Sequence, residues 1–193
     1  MRCVCIALGV FAVASASASA TTVNFDLYAN GTALNTQYAG VGVTFSATTS
    51  AMISDIIAAG PGYATSSPRN IAIADWANNV QGTMRMDFAG SASAVSFYAI
   101  DVGESSRDAI AYDALNNVLQ TITIHNPGSG AGIGNINLVS FSASNIAYVT
   151  FGQGSVFAPG DGAGIDDLSF TIPGPSTGTL LSLAGVVATR RRR

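Results

Sequence analysis

Among the residues able to do chemistry, carboxylates stand out. The chain has 11 acidic residues against 8 basic ones, and Glu104 is the only glutamate. Near the C-terminal end, Gly162-Ala-Gly164-Ile-Asp166-Asp167-Leu168 contains one copy of the Gly-x-Gly-x-Asp-x-aliphatic pattern of calcium-binding β-rolls. Such rolls hold the ion between successive stacked turns, so one copy does not make that site. Strict alternation along 165–172 sets Asp166 on the face of Leu168, Phe170 and Ile172 and turns Asp167 the other way. A carboxylate at the rim of an apolar face needs donors or a cation. First and last strands of sandwich domains commonly lie close, which brings Asp26 toward Asp166 or Asp167. Hard oxygen ligands from these three, completed by backbone carbonyls, suit calcium. The competing assignment has the same aspartates capping turns and accepting backbone N–H bonds.

Sugar binding is the second chemistry. Stacking needs an exposed aromatic. Trp76, in Ala74-Asp-Trp-Ala-Asn-Asn-Val-Gln81, has Asp75, Asn78, Asn79 and Gln81 beside it to hydrogen-bond hydroxyls. Tyr28, Tyr38, Tyr63, Tyr98, Tyr112 and Tyr148 are less distinctive. The competing assignment for a lone Trp in a small β-domain is the core. Catalysis has thinner support. His125 is the only histidine, and no serine sits in the Gly-x-Ser-x-Gly context of a nucleophile elbow. Paired aspartates at the right separation could still hydrolyse a glycosidic bond. The glycine string 128–134 lacks dinucleotide-loop spacing.

The charge distribution narrows the field. All eight basic residues are arginines, and five of them, Arg2 and Arg190 to Arg193, stand at the chain's two ends. Arg69, Arg85 and Arg107 are then all that faces the 11 acids of the interior. That excludes a nucleic-acid footprint, which needs clustered cations to replace phosphate counterions. Both cysteines, Cys3 and Cys5, lie near the N-terminus, so the interior has no thiolate for a metal, disulfide or nucleophile.

The elements that must position these groups are short strands. Val23, Phe25 and Leu27 alternate with polar residues, and Asn30-Gly31 marks a turn. Met84, Met86 and Phe88 share one face of 83–88, with Thr83, Arg85 and Asp87 on the other. Further runs cover 41–47, 70–74, 94–102, 108–113, 118–124, 133–141, 146–151 and 165–172, with turn clusters between them, including Ala89-Gly-Ser91. About ten closely spaced strands predict an all-β fold, an antiparallel β-sandwich or jelly roll. The one helical candidate is 50–59, where Met52, Ile53, Ile56 and Ile57 keep helical spacing.

The two ends read as addresses. Arg2, the apolar run 3–14 and the small residues 15–20 have the layout of a secretory signal peptide, with Ala-x-Ala cleavage after Ala18 or Ala20 and the latter favoured. Pro173-Gly174-Pro175 precedes an apolar stretch, 179–189, closed by Arg190, Arg191, Arg192 and Arg193. As a helix that stretch reaches only ~16 Å into a ~30 Å hydrocarbon core. This tail resembles the PEP-CTERM sorting signal of exported Gram-negative proteins, in which Pro-Glu-Pro precedes an apolar helix and an arginine cluster. Gly174 stands where that family's namesake motif has Glu.

The resemblance implies an exosortase-like processing enzyme as partner, transient residence in the inner membrane through the C-terminal helix, and an exopolysaccharide nearby. The expected organisation is a signal peptide at 1–20, a β-sandwich at 21–172 and a sorting tail at 173–193. The expected function is that of an exported, non-catalytic surface or matrix protein without a cofactor. The alternative is a carbohydrate-binding module with structural calcium, and a secreted hydrolase ranks third.

Overall fold

A computed structural model describes residues 18–55, 69–77, 80–103, 106–125, 135–153 and 162–174. Within them the chain is almost entirely antiparallel β-structure, as the strand spacing predicts, and residues 19–172 form one compact unit. Residues 1–17 of the expected signal segment and the tail beyond Gly174 lie outside the described residues.

Two long strands organise the rest. β7 (Met84–Ile100) and β10 (Ile136–Gln153) pair antiparallel, from Ile136 opposite Ile100 to Phe151 opposite Met84. The register shifts between Ser142 and Tyr148, where Asn145 takes a positive φ of 67°. Asparagine tolerates that conformation because its short polar side chain bonds locally. Sequence reading divides each long strand in two; the structure runs β7 straight through Ala89-Gly90-Ser91.

The other strands attach to one half or the other. The first half of β7 pairs with β2 (Val43–Ala47), and the facing half of β10 pairs with β8 (Arg107–Tyr112), which carries β9 (Val118–Ile124). The second half of β7 pairs with β11 (Gly164–Ile172). Beyond β11 come β4 (Asn70–Ala74), joined to β3 (Ala51–Asp55), and β1 (Ser19–Val23). β1 thus begins two residues before the expected domain start at Thr21, with Ser19 opposite Ile172. A separate ribbon joins β5 (Trp76–Ala77) to β6 (Val80–Gln81).

Alternation turns the apolar faces of both halves into one core. Met86, Phe45 and Val149 come from the first half, and Val95, Phe97, Leu168 and Phe170 from the second. Ring contacts join the halves, Phe97 to Phe151 at 5.6 Å and Phe88 to Phe170 at 5.1 Å. β11 can enter between β4 and β7 because residue 164 is glycine. A Cβ there would stand 2.5 Å from Ile71 Cδ1 and 3.0 Å from the Ala72 carbonyl oxygen.

Three expectations are corrected. The helix at 50–59 is replaced, through Asp55, by strand β3, with Ala51 and Ile53 buried opposite Ala74 and Ala72. Its helical spacing loses to pairing with β4, because tertiary contacts decide the state of a short apolar run; residues 56–59 lie outside the described residues. The first strand stops at Val23, and Phe25 adopts φ 62° while its ring is fully buried between Tyr38 and Phe45. Left-handed backbone is costly for a bulky residue, and the burial of this ring offsets that cost. Leu27 is consequently exposed. Lastly, β11 is bulged. Asp166 pairs with Tyr98 but Ser169 with Ser96, and Asp167 takes φ 46°. The extra residue shifts the alternation, so Ile165, Leu168 and Phe170 share the core while Asp166 stands with Tyr98 on the other face.

Phe97 has no exposed surface and joins the two halves. Replacing it with alanine is expected to cost about 3–5 kcal/mol of folding free energy, measured by denaturant unfolding; a loss below about 1 kcal/mol would show that the halves do not share a core there.

Candidate functional site

The outward face of the first half carries an ordered cross-strand array. One row runs Thr44, Asp87, Tyr148, Tyr112, Val118 across β2, β7, β10, β8 and β9. The next runs Ser46, Arg85, Thr150, Ile110, Thr121. Five strands at their usual spacing make these rows roughly 19 Å long.

Their centre is a stack. The Tyr112 and Tyr148 rings lie nearly parallel, 13° apart with centroids 4.6 Å apart. The Arg85 guanidinium carbon sits 3.6 Å from the Tyr148 centroid. Arg85 also grips Asp87 with two nitrogens, Nη2 donating to Oδ1 at 2.6 Å and Nε to both carboxylate oxygens at 2.9 and 3.0 Å. Both side chains remain about two-fifths exposed, 41% and 38%, so as a surface pair they add at most about 1 kcal/mol. Their larger effect is to fix the guanidinium plane over the ring. The hydrogen bond to Asp87, ahead of its charge and that of Tyr148, holds the Arg85 pKa above its ordinary value, against a smaller opposing effect of burial. The Tyr148 hydroxyl donates to Asn116 Oδ1 at 2.9 Å. Asn116, at φ 65°, belongs to the β8–β9 turn, which Asp113 holds by accepting from the Leu115 and Asn117 backbone N–H groups and the Asn117 amide. The Asn117 bonds keep the Asp113 carboxyl below the usual range. The face thus combines ring, guanidinium, carboxylate, amide and hydroxyl groups, with Arg85 and Asp87 neutralising each other and the Asp108 and Asp113 carboxylates held by hydroxyl and N–H donors toward the β9 side.

The residues singled out from sequence lie elsewhere. Asp26 follows β1 and accepts from the Arg69 and Asn70 backbone N–H groups at 3.2 and 2.9 Å. Asp166 is fully buried, and its Oδ1 accepts from the Asp167 N–H at 2.8 Å. Among the described residues no three His, Cys, Asp or Glu side chains gather into a group that could hold a metal ion, so Asp26, Asp166 and Asp167 are not brought together as one. Asp75 anchors the chain between β4 and β5, its Oδ2 accepting from Ser50 and its carbonyl from Thr49 and the Gly82 N–H. Trp76 pairs with Gln81 in the small ribbon, but its side chain is outside the described structure. Gln81 itself is buried, exchanging two hydrogen bonds with the Ala163 backbone. His125 is exposed just after β9. Pro173 and Gly174 follow β11, while Pro175, Arg190 to Arg193, and Glu104 lie outside the described residues.

Part of the array is local in the sequence. Alternation in 83–88 puts Arg85 and Asp87 on one face, and the same period puts Tyr148 and Thr150 on one face of β10. The register that sets Tyr148 between Arg85 and Tyr112 is not local, since the strands are separated by up to about sixty positions.

Under the opposite surface, Tyr38 is 6% exposed and meets Tyr28 and Phe25 edge-on. Burial, then the nearby Tyr28 and Asp26, push its hydroxyl up to about 12 from 10.0. The folded state favours neutral phenol, so this contribution to stability is complete below pH 10 and is lost as pH rises toward 12. Ultraviolet titration is expected to show one tyrosine ionising last, near 12, and Tyr38→Phe to remove that step; a step that survives the substitution would refute the assignment.

No family model matches the sequence, and no curated protein does. Its fold is similar to that of a solved domain, and two further solved structures match more distantly. The K2 cleaved adhesin domain of Lys-gingipain matches with a TM-score of 0.54 and 11% identity, over 80% of this chain and 100% of that one. TmCBM61, solved with β-1,4-galactotriose, matches at 0.42 and 9% identity over 68% and 88% of the two chains. The exo-β-1,3-galactanase of Phanerochaete chrysosporium matches at 0.38 and 13% identity over 81% and 30%. At these identities the likeness is one of fold, and the first carries it.

Proposed function

We propose that this chain is an exported, non-catalytic β-sandwich that binds uncharged polysaccharide at the cell surface through the outward face of β2, β7, β10, β8 and β9. The observation that carries the reading is the Arg85–Tyr148–Tyr112 stack. Tyr148 is itself buried, 7% exposed, beneath Arg85, so the planes the face offers to the apolar C–H side of a sugar are the part-exposed Tyr112 ring and the Arg85 guanidinium, with fixed polar groups beside them for its hydroxyls. Arg85 and Asp87 neutralise each other, which favours an uncharged ligand over an acidic one. Delivery would follow the expectations from the two ends: export by the signal segment, a temporary hold in the inner membrane, and processing of the tail by an exosortase-like enzyme at Pro173-Gly174-Pro175.

Affinity electrophoresis through neutral exopolysaccharide tests the face. Tyr112→Ala or Arg85→Ala is expected to weaken retention about tenfold, ~1.4 kcal/mol, with little dependence on salt, while Trp76→Ala retains binding. Retention unchanged by Tyr112→Ala, or lost only with Trp76→Ala, would overturn it. Delivery is tested by the intact mass of protein from its native envelope, expected to lack the arginine tail; a mature chain ending at Arg193 would contradict it.

A further inference from the structure

We infer that β9 is a pairing edge through which two copies of this chain join antiparallel, β9 to β9, extending the first-half sheet across a two-fold axis. Among the described residues, the free sides of β3 and β2 are covered. Residues 31–34 lie along β3, with Gly31 N–H donating to Ile53 C=O at 2.9 Å, Ile53 N–H to Thr32 C=O at 2.9 Å and Leu34 N–H to Ala51 C=O at 2.8 Å. The free side of β2 is met by Asn35 and Tyr38, whose carbonyls accept from the Phe45 and Val43 N–H groups at 2.8 and 3.3 Å. β9 pairs with β8 on one side, and among the described residues no strand pairs with the other.

The composition of this edge selects its occupant. Proteins guard bare edges with lysine, proline or inward charges. Val118-Leu-Gln-Thr-Ile-Thr-Ile124 has none of these, and Val118, Leu119 and Thr121 are exposed. Centred on Thr121, antiparallel self-pairing sets Val118 opposite Ile124 and Leu119 opposite Thr123, with no like charges face to face. The strand's ends are complementary. Exposed His125 follows one end, and the Asp113 turn precedes the other. The same register brings His125 of each copy to Asn117 of its partner, beside the Asp113 carboxylate. A second copy therefore meets an unguarded strand and the polar groups at its two ends, and a dimer of this kind carries the outward row ending at Thr121 on into that of its partner. The inference stands independently of what the face binds.

Size-exclusion chromatography with light scattering on the full chain in mild detergent, at about 100 μM, is expected to give a dimer that Thr121→Lys and Val118→Lys each convert to monomer with unchanged circular dichroism. In a Cys3→Ser, Cys5→Ser background, Thr121→Cys is expected to cross-link under mild oxidation at least tenfold faster than Ser46→Cys on the β2 side. The cross-link decides the matter should either lysine variant fail to fold. A monomeric wild-type chain, a dimer that persists in both lysine variants, or equal cross-linking at the two positions would each overturn the inference.

Discussion

The antiparallel ladder between β7 and β10 is the constraint on which the other strands depend. It spans both halves of the fold, and its inward residues, from Met86 and Val149 to Phe97 and Val139, supply the middle of the core. A strand pair this long is stable only when it is covered along its length. The cover differs at each end, β2 and β8 over one half and β11 over the other. The irregular register between Ser142 and Tyr148 lies where cover changes, because a bulge bends the strand and strengthens its twist.

The same ladder makes the outward face possible. Inward alternation commits Met86, Val149 and Ala111 to the core, and this leaves Arg85, Asp87, Tyr148 and Tyr112 no choice of side. Each polar group is then held by a neighbour: Arg85 by Asp87, Tyr148 by Asn116, and Asn116 by the turn that Asp113 closes. Rigidity of this sort lowers the entropy that a ligand must offset on binding.

How much of this is legible in the sequence depends on the range of the interaction. The all-β class and most strand positions follow from period-2 alternation and turn residues, which are local. The helix expected at 50–59 fails because Met52 and Ile53 fit either period and pairing with β4 decides between them. The face of Asp166 is misread because a bulge at Asp167 leaves no mark in the sequence beyond two adjacent aspartates. Tyr112 and Tyr148, undistinguished as letters among six tyrosines, become a stack only through the register of β8 on β10. Of the three interior arginines, Arg85 is tied to Asp87 on the surface while Arg107 is almost wholly buried.

The most direct measurement is nuclear magnetic resonance of the chain titrated with a soluble neutral oligosaccharide from an exopolysaccharide. The account predicts that the Arg85 Nε–H and the ring resonances of Tyr112 and Tyr148 shift together with one saturating curve, while Asp26, Asp166 and the Trp76–Gln81 ribbon stay unmoved. Shifts confined to that ribbon, or none at saturating oligosaccharide, would contradict it.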